Sequence, residues 1–189
     1  MGKIKSLVTG MYICLLLVVT QYSYAQVNAG IFYTTIFAKT APYSRAAGLG
    51  KDASAWFLKD VNGDGKDDAV AYYNNGRWQI ALSDGVRFVN PEDYLVYQPA
   101  DGGDVKKWQP LMGDVNGDGK QDAVFFDPGK GNWYCALSVG TAFAAPVLWA
   151  TTAGGGTTTP FLADVDGDGK QDAVFYEPGK GAWYVGLSD

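Results

Sequence analysis

The chain has 189 residues, with 15 basic residues against 20 acidic ones, a net charge of −5, two cysteines and no histidine. Without histidine, His-based triads, His-ligated zinc and imidazole general bases are excluded. An acidic chain without a basic patch is also a poor partner for nucleic acid.

The first 25 residues read as a secretory leader. Lys3 and Lys5 precede the apolar run from Met11 to Val19, and Ser23-Tyr24-Ala25 supplies small residues at a cleavage site after Ala25. The run is too short to span a bilayer, so no membrane span is expected after cleavage. Loss of Lys3 and Lys5 leaves 13 basic residues against 20 acidic ones, a net charge of −7. The 164 residues that remain suffice for one domain with a real core. Cys135 is then the one cysteine left, so no intrachain disulfide forms, and a secreted domain needs another staple. The expected location is extracellular or periplasmic.

Residues 30–37 are β-branched and aromatic and read as a strand, residues 46–53 as a loop, and residues 55–58 as a strand entering the first of three copies of one pattern. Each copy begins with a short apolar strand, at Trp56–Leu58, Pro110–Met112 and Pro160–Leu162. An acidic loop comes second, running from Asp60 to Asp68, from Asp114 to Asp122 and from Asp164 to Asp172. An apolar Ala-Val-x-aromatic strand follows, whose continuous apolar character predicts burial on both faces. A turn rich in Asn-Gly or Pro-Gly leads to an alternating strand with Trp78, Trp133 or Trp183 on its large apolar face. Cys135 occupies the position of Ile80 and Val185, which marks it as core. A last strand is expected at residues 85–88 and 140–143, and Gly30-Ile31-Phe32 fits the same slot for the third copy, as a closing strand.

The loops carry the chemistry. Oxygen side chains stand at positions 1, 3, 5 and 9, with glycine at position 6 where the chain must turn sharply. The ligand set is Asp60, Asn62, Asp64 and Asp68; Asp114, Asn116, Asp118 and Asp122; and Asp164, Asp166, Asp168 and Asp172. The backbone carbonyls of Lys66, Lys120 and Lys170 at position 7 complete it. Oxygen-only sites of this size suit Ca²⁺, with its 6–8 oxygen ligands, better than Mg²⁺, which demands a tighter octahedron. About three structural Ca²⁺ ions are expected. An EF-hand would need Glu at position 12 and flanking helices. Position 12 is instead Ala71, Phe125 or Phe175, and the flanks are strands.

The Asp-x-Asn/Asp-x-Asp-Gly-x-x-Asp loop followed by Ala-Val-x-aromatic resembles the FG-GAP/VCBS repeats. These occur in integrin α-chain propellers, in fungal and bacterial sugar-binding propellers and beside some polysaccharide lyases. The resemblance covers residues 55–189 and implies an all-β fold of β-propeller blades with one calcium loop per blade. Blades are expected around residues 55–98, 108–150 and 160–189. The Phe-Gly and Gly-Ala-Pro signatures of the integrin version are absent, which places the chain nearer the bacterial VCBS-like group.

Propellers have four to eight blades, so three imply completion by oligomerisation, with two chains making six, or a longer propeller of which this is part. The expected function is a secreted calcium-binding module, most plausibly for carbohydrate, with Trp78, Trp133 and Trp183 as candidate sugar platforms. The alternative is a structural or adhesion repeat contacting a cell-surface protein, or a non-catalytic part of a polysaccharide-degrading enzyme. Arg77, Lys130 and Lys180 share one turn and could contact an acidic glycan. Glu92, Asp93, Asp101 and Asp104, in what reads as an inter-blade insertion, form no recognisable acid–base pair, so no enzyme activity is expected.

Overall fold

The computed structural model describes residues 25–28, 31–34, 49–100, 103–152 and 158–189. It divides into two units, Met1–Pro42 and Tyr43–Asp189. In the first unit β1 (Ala25–Asn28) and β2 (Ile31–Thr34) form an antiparallel hairpin with Ala25 opposite Thr34. Of the segment expected as a closing strand, β2 is therefore paired with β1, and residues 30 and 35–37 lie outside the described residues, as does the leader up to residue 24.

The second unit consists of three consecutive antiparallel sheets of the propeller-blade type. The first holds β3 (Ala55–Lys59), β4 (Asp68–Tyr73), β5 (Arg77–Ser83) and β6 (Phe88–Val96) in chain order. The second holds β7 (Gln109–Gly113), β8 (Asp122–Asp127), β9 (Asn132–Ala136) and β10 (Val147–Thr151), again in chain order. The third holds β11 (Thr159–Ala163), β12 (Asp172–Glu177) and β13 (Ala182–Gly186), three strands among the described residues. A short 3-10 helix, Val105–Lys107, links the first two sheets.

Register repeats with the sequence. Val70 faces Ile80, Val124 faces Cys135 and Val174 faces Val185 across the second and third strands of each sheet. Period-2 alternation then puts Trp78, Ile80, Val70 and Tyr72 on one face of the first sheet, and Ala69, Ala71 and Gln79 on the other. The core lies between sheets. One cluster joins Val70, Trp78 and Ile80 to Met112, Ala123 and Phe125 of the second sheet. The other joins Val124, Trp133 and Cys135 to Ala173 and Phe175 of the third. Phe125 meets the Trp78 ring edge-on at 5.5 Å. Strand β8, between these two clusters, is buried at all six positions, its Asp122 and Asp127 ends included, and the apolar run Ala123–Phe126 predicts this for its centre.

The outer strands differ from expectation. Residues 85–87 form a turn rather than a strand start, because the Asp84 carboxylate accepts from the amides of Val86 and Arg87, both at 2.8 Å. Strand β6 begins at Phe88 and includes Glu92 and Asp93, so these acids belong to the sheet and not to an insertion. Residues 140–143 contribute one bridge, Ser138 to Phe143, and the fourth strand of the second sheet comes later, at Val147.

Candidate metal centres

Each acidic loop joins the first strand of a sheet to the second, and the three have one geometry. The position-1 carboxylate curls the loop around itself. In the second loop Asp114 Oδ1 accepts from Gly117 N at 2.7 Å and Asp118 N at 3.2 Å, and Oδ2 accepts from Gly119 N at 2.8 Å. Asn116 Oδ1 accepts from Asp118 N at 3.0 Å. The first loop repeats these bonds with Asp60 and Asn62. Gly119 sits at φ 82° with no atom near the position of a Cβ, so backbone conformation and not crowding demands glycine there.

The position-9 aspartates play a different part. Asp68, Asp122 and Asp172 are all 0% exposed. Asp122 Oδ2 accepts from Val115 N at 3.0 Å and Oδ1 from Ser138 N at 2.8 Å. Asp68 takes the amides of Val61 and Ser83, and Asp172 those of Val165 and Ser188. Each one thus clamps the start of its loop to the end of the third strand or to the residues just after it. Ser83, Ser138 and Ser188 were missed from sequence as site residues. Their recurrence at one offset in all three copies was the available signal. Burial pushes the Asp122 carboxyl up to about 6, against the opposing pull of the Ser138 and Val115 amides. Burial raises Asp68 in the same direction.

In the third loop, oxygens of Asp164, Asp166 and Asp172 converge within 4.8 Å of one another. Oxygens around one ion at 2.3–2.6 Å lie at most about 5 Å apart, so this spacing fits ligands of a single hard cation. Three carboxylates so close repel unless positive charge lies among them. The donor set, all hard oxygen, therefore fits a divalent cation of the calcium class. In the first two loops Asn62 and Asn116 replace Asp166 and lower the charge.

The position-5 carboxylates lie outside that cluster. Asp64, Asp118 and Asp168 pair with the ammonium groups of Lys66, Lys120 and Lys170, the last two at 2.8 and 3.2 Å. The hydrogen bond from Lys66 holds Asp64 below the usual carboxylate range. The lysines were expected to contribute only their backbone carbonyls, and their side chains provide a local counter-charge as well.

Consecutive loops are tied through the backbone. Gln121 N donates to Asp60 O at 2.9 Å, and Gln171 N donates to Asp114 O at 2.8 Å. Position 8 of one loop thus holds position 1 of the loop before it.

The three candidate sugar platforms separate. Trp78 and Trp133 are fully buried between sheets and offer no face to a ligand, which corrects their assignment as sugar-stacking residues. Trp183 is 62% exposed. Among the turn cations, Arg77 lies over the Tyr73 ring at 4.2 Å and Lys180 pairs with Glu177 at 3.0 Å, so both are engaged locally. Among the described residues no helix is long and apolar enough to cross a membrane.

A sequence profile described as FG-GAP-like repeat matches residues 60–125 and 114–175. No curated protein matches the chain. Among solved structures, an Agrocybe aegerita lectin described as recognising non-reducing terminal N-acetylglucosamine is similar, with TM-score 0.59 and 25% identity over 71% of this chain and 35% of the lectin. A Photorhabdus luminescens Tc holotoxin pore is similar with TM-score 0.58 and 21% identity over 72% of this chain and 6% of that one. The chain thus spans about a third of the lectin's length and a small part of the toxin's.

Proposed function

The chain belongs to the FG-GAP-like repeat family, and from that premise we propose that it is a secreted, calcium-binding module that recognises carbohydrate and catalyses no reaction. The observation that carries the calcium reading is the convergence of Asp164, Asp166 and Asp172 oxygens within 4.8 Å, in a loop pattern repeated three times. The position-1, position-3 and position-9 side chains would hold each ion, and position 5 would join them by releasing its lysine. The ion would supply positive charge that offsets the burial of the position-9 carboxylate and brace the first two strands of each sheet. The role is structural, because the clamped aspartates have both oxygens committed to backbone amides.

Carbohydrate is favoured as the ligand class because the structural likeness extends over most of this chain to a lectin for terminal N-acetylglucosamine. A binding role also suits the loop acids, whose oxygens accept from backbone amides or pair with lysines.

Two measurements test the reading. Isothermal titration of chelator-treated protein should reveal calcium sites, and saturation at 100 times Kd should stabilise the fold by about 2.7 kcal/mol per site. A melting temperature indifferent to calcium would refute the metal role. A glycan array that includes N-acetylglucosamine-terminated chains should give reproducible binding without product. Calcium binding with no glycan retained would instead support a structural or adhesion repeat.

A further inference from the structure

We propose that the outer face of the third sheet docks the first sheet of a second copy of this chain, head to tail. The inter-sheet contact is made twice within one chain, each time by the same pair of faces. The Trp78 face of the first sheet receives Met112, Ala123 and Phe125 of the second, and the Trp133 face of the second receives Ala173 and Phe175 of the third. The equivalent face of the third sheet carries Phe161, Trp183 and Val185, and all three are exposed. Trp183 is 62% exposed, where Trp78 and Trp133 are 0%. Its ring already packs on Phe161 at 5.6 Å and Tyr176 at 4.8 Å, so the hydrophobic half of a third such contact is assembled.

The same chain carries the other half. The receiving face of the first sheet exposes Trp56 at 63% and Leu58 at 60%. Leu58 pairs with Ala69 in the register where Met112 pairs with Ala123, and Met112 is buried in its contact. Trp56 pairs with Ala71 where Pro110 pairs with Phe125. One large ring therefore stands on each strand pair, with its strand exchanged. The loop ties extend the match: the register equivalents of the Asp60 carbonyl and the Gln121 amide are the Asp164 carbonyl and the Asp67 amide, at the two ends of the array.

A second copy is the occupant that this pairing selects, because it supplies the matching face, the matching loop and the same spacing at once. The contact is heterologous, so it closes if the rotation per sheet allows. The three described blade-type sheets of each of two copies make six, within the four to eight that close a propeller, and the two junctions then form together.

Sedimentation velocity on the full mature chain in saturating calcium tests this. The expected mass is that of two chains. Trp183→Asp and Leu58→Asp should each weaken the dimer by about 30-fold or more, the loss expected of a buried anchor. Both variants should keep the wild-type far-UV circular dichroism, which separates lost docking from lost folding. Mixing them should restore a two-chain species, because one intact junction remains between a good Trp183 face and a good Leu58 face. A wild-type monomer at high micromolar concentration would overturn the proposal, and would leave those faces to a different partner. A dimer that survives both substitutions, or variants that fail to recombine, would overturn it equally.

Discussion

At the residue scale, the loop aspartates divide into buried clamps and exposed carboxylates. Asp122 is buried with an amide on each carboxylate oxygen, and Asp118 lies at the surface against Lys120. Asp122→Ala leaves the amides of Val115 and Ser138 buried without acceptors, and each orphaned group costs about 1–3 kcal/mol. Chelator-treated Asp122→Ala should therefore lose roughly 3 kcal/mol in urea unfolding. Asp118→Asn should change metal-free stability by less than about 0.5 kcal/mol, as exposed positions do, yet weaken calcium binding in a titration. Two buried groups bear on stability at alkaline pH. Burial pushes the Cys135 thiol from 9.0 up to about 12 and the Tyr72 hydroxyl from 10.0 up to about 12. A folded value above the unfolded one favours the native state fully at pH below the unfolded value, and that support is lost as pH rises through the folded one. The urea midpoint should thus fall between about pH 9 and 12, and Cys135→Val, which copies the third repeat, should reduce the fall. Local sequence made the acidic loops legible because their candidate ligands all lie within nine consecutive positions. It could not tell Trp183 from Trp78, because their exposure is decided by whether another sheet covers them.

At the element scale, each loop also depends on backbone shape, beside its carboxylate hydrogen bonds. Gly119 needs positive φ and meets no neighbour, so Gly119→Ala tests conformation alone. The strain of a left-handed alanine is about 1–2 kcal/mol, and a thermal melt should show that loss without a change in the sheet's circular dichroism. The inner three strands of each repeat were legible from alternation and turn chemistry, since Trp78-x-Ile80 and its counterparts carry a clear period of two. The outer strands were not. Phe88 to Val96 follows an Asx turn that reads as a strand, and its position is set by contacts from another repeat. Phe143 N donates to Tyr94 O at 3.1 Å, and Tyr94 Oη donates to Gly140 O at 3.1 Å. Such ties join residues far apart in sequence, and no local pattern announces them.

At the scale of the whole unit, the repeats stack so that each sheet is stabilised chiefly by its neighbours, as in other linear arrays. The middle sheet has a neighbour on both faces. Trp133→Ala should therefore cost about 3–5 kcal/mol, the usual loss for deleting a buried aromatic, measured by urea unfolding of chelator-treated protein. Sequence made the number of repeats plain, but not which sheet faces stay exposed, because exposure depends on what packs against them. Strand β8, buried at all six positions between its two neighbours, has a further consequence in time rather than in energy. Its amides can exchange with solvent deuterium only when the stack itself opens, whereas those of β13 can exchange through separation of the last sheet alone. In native-state exchange β8 should be the last strand to label, and its rate should report the lifetime of the whole array.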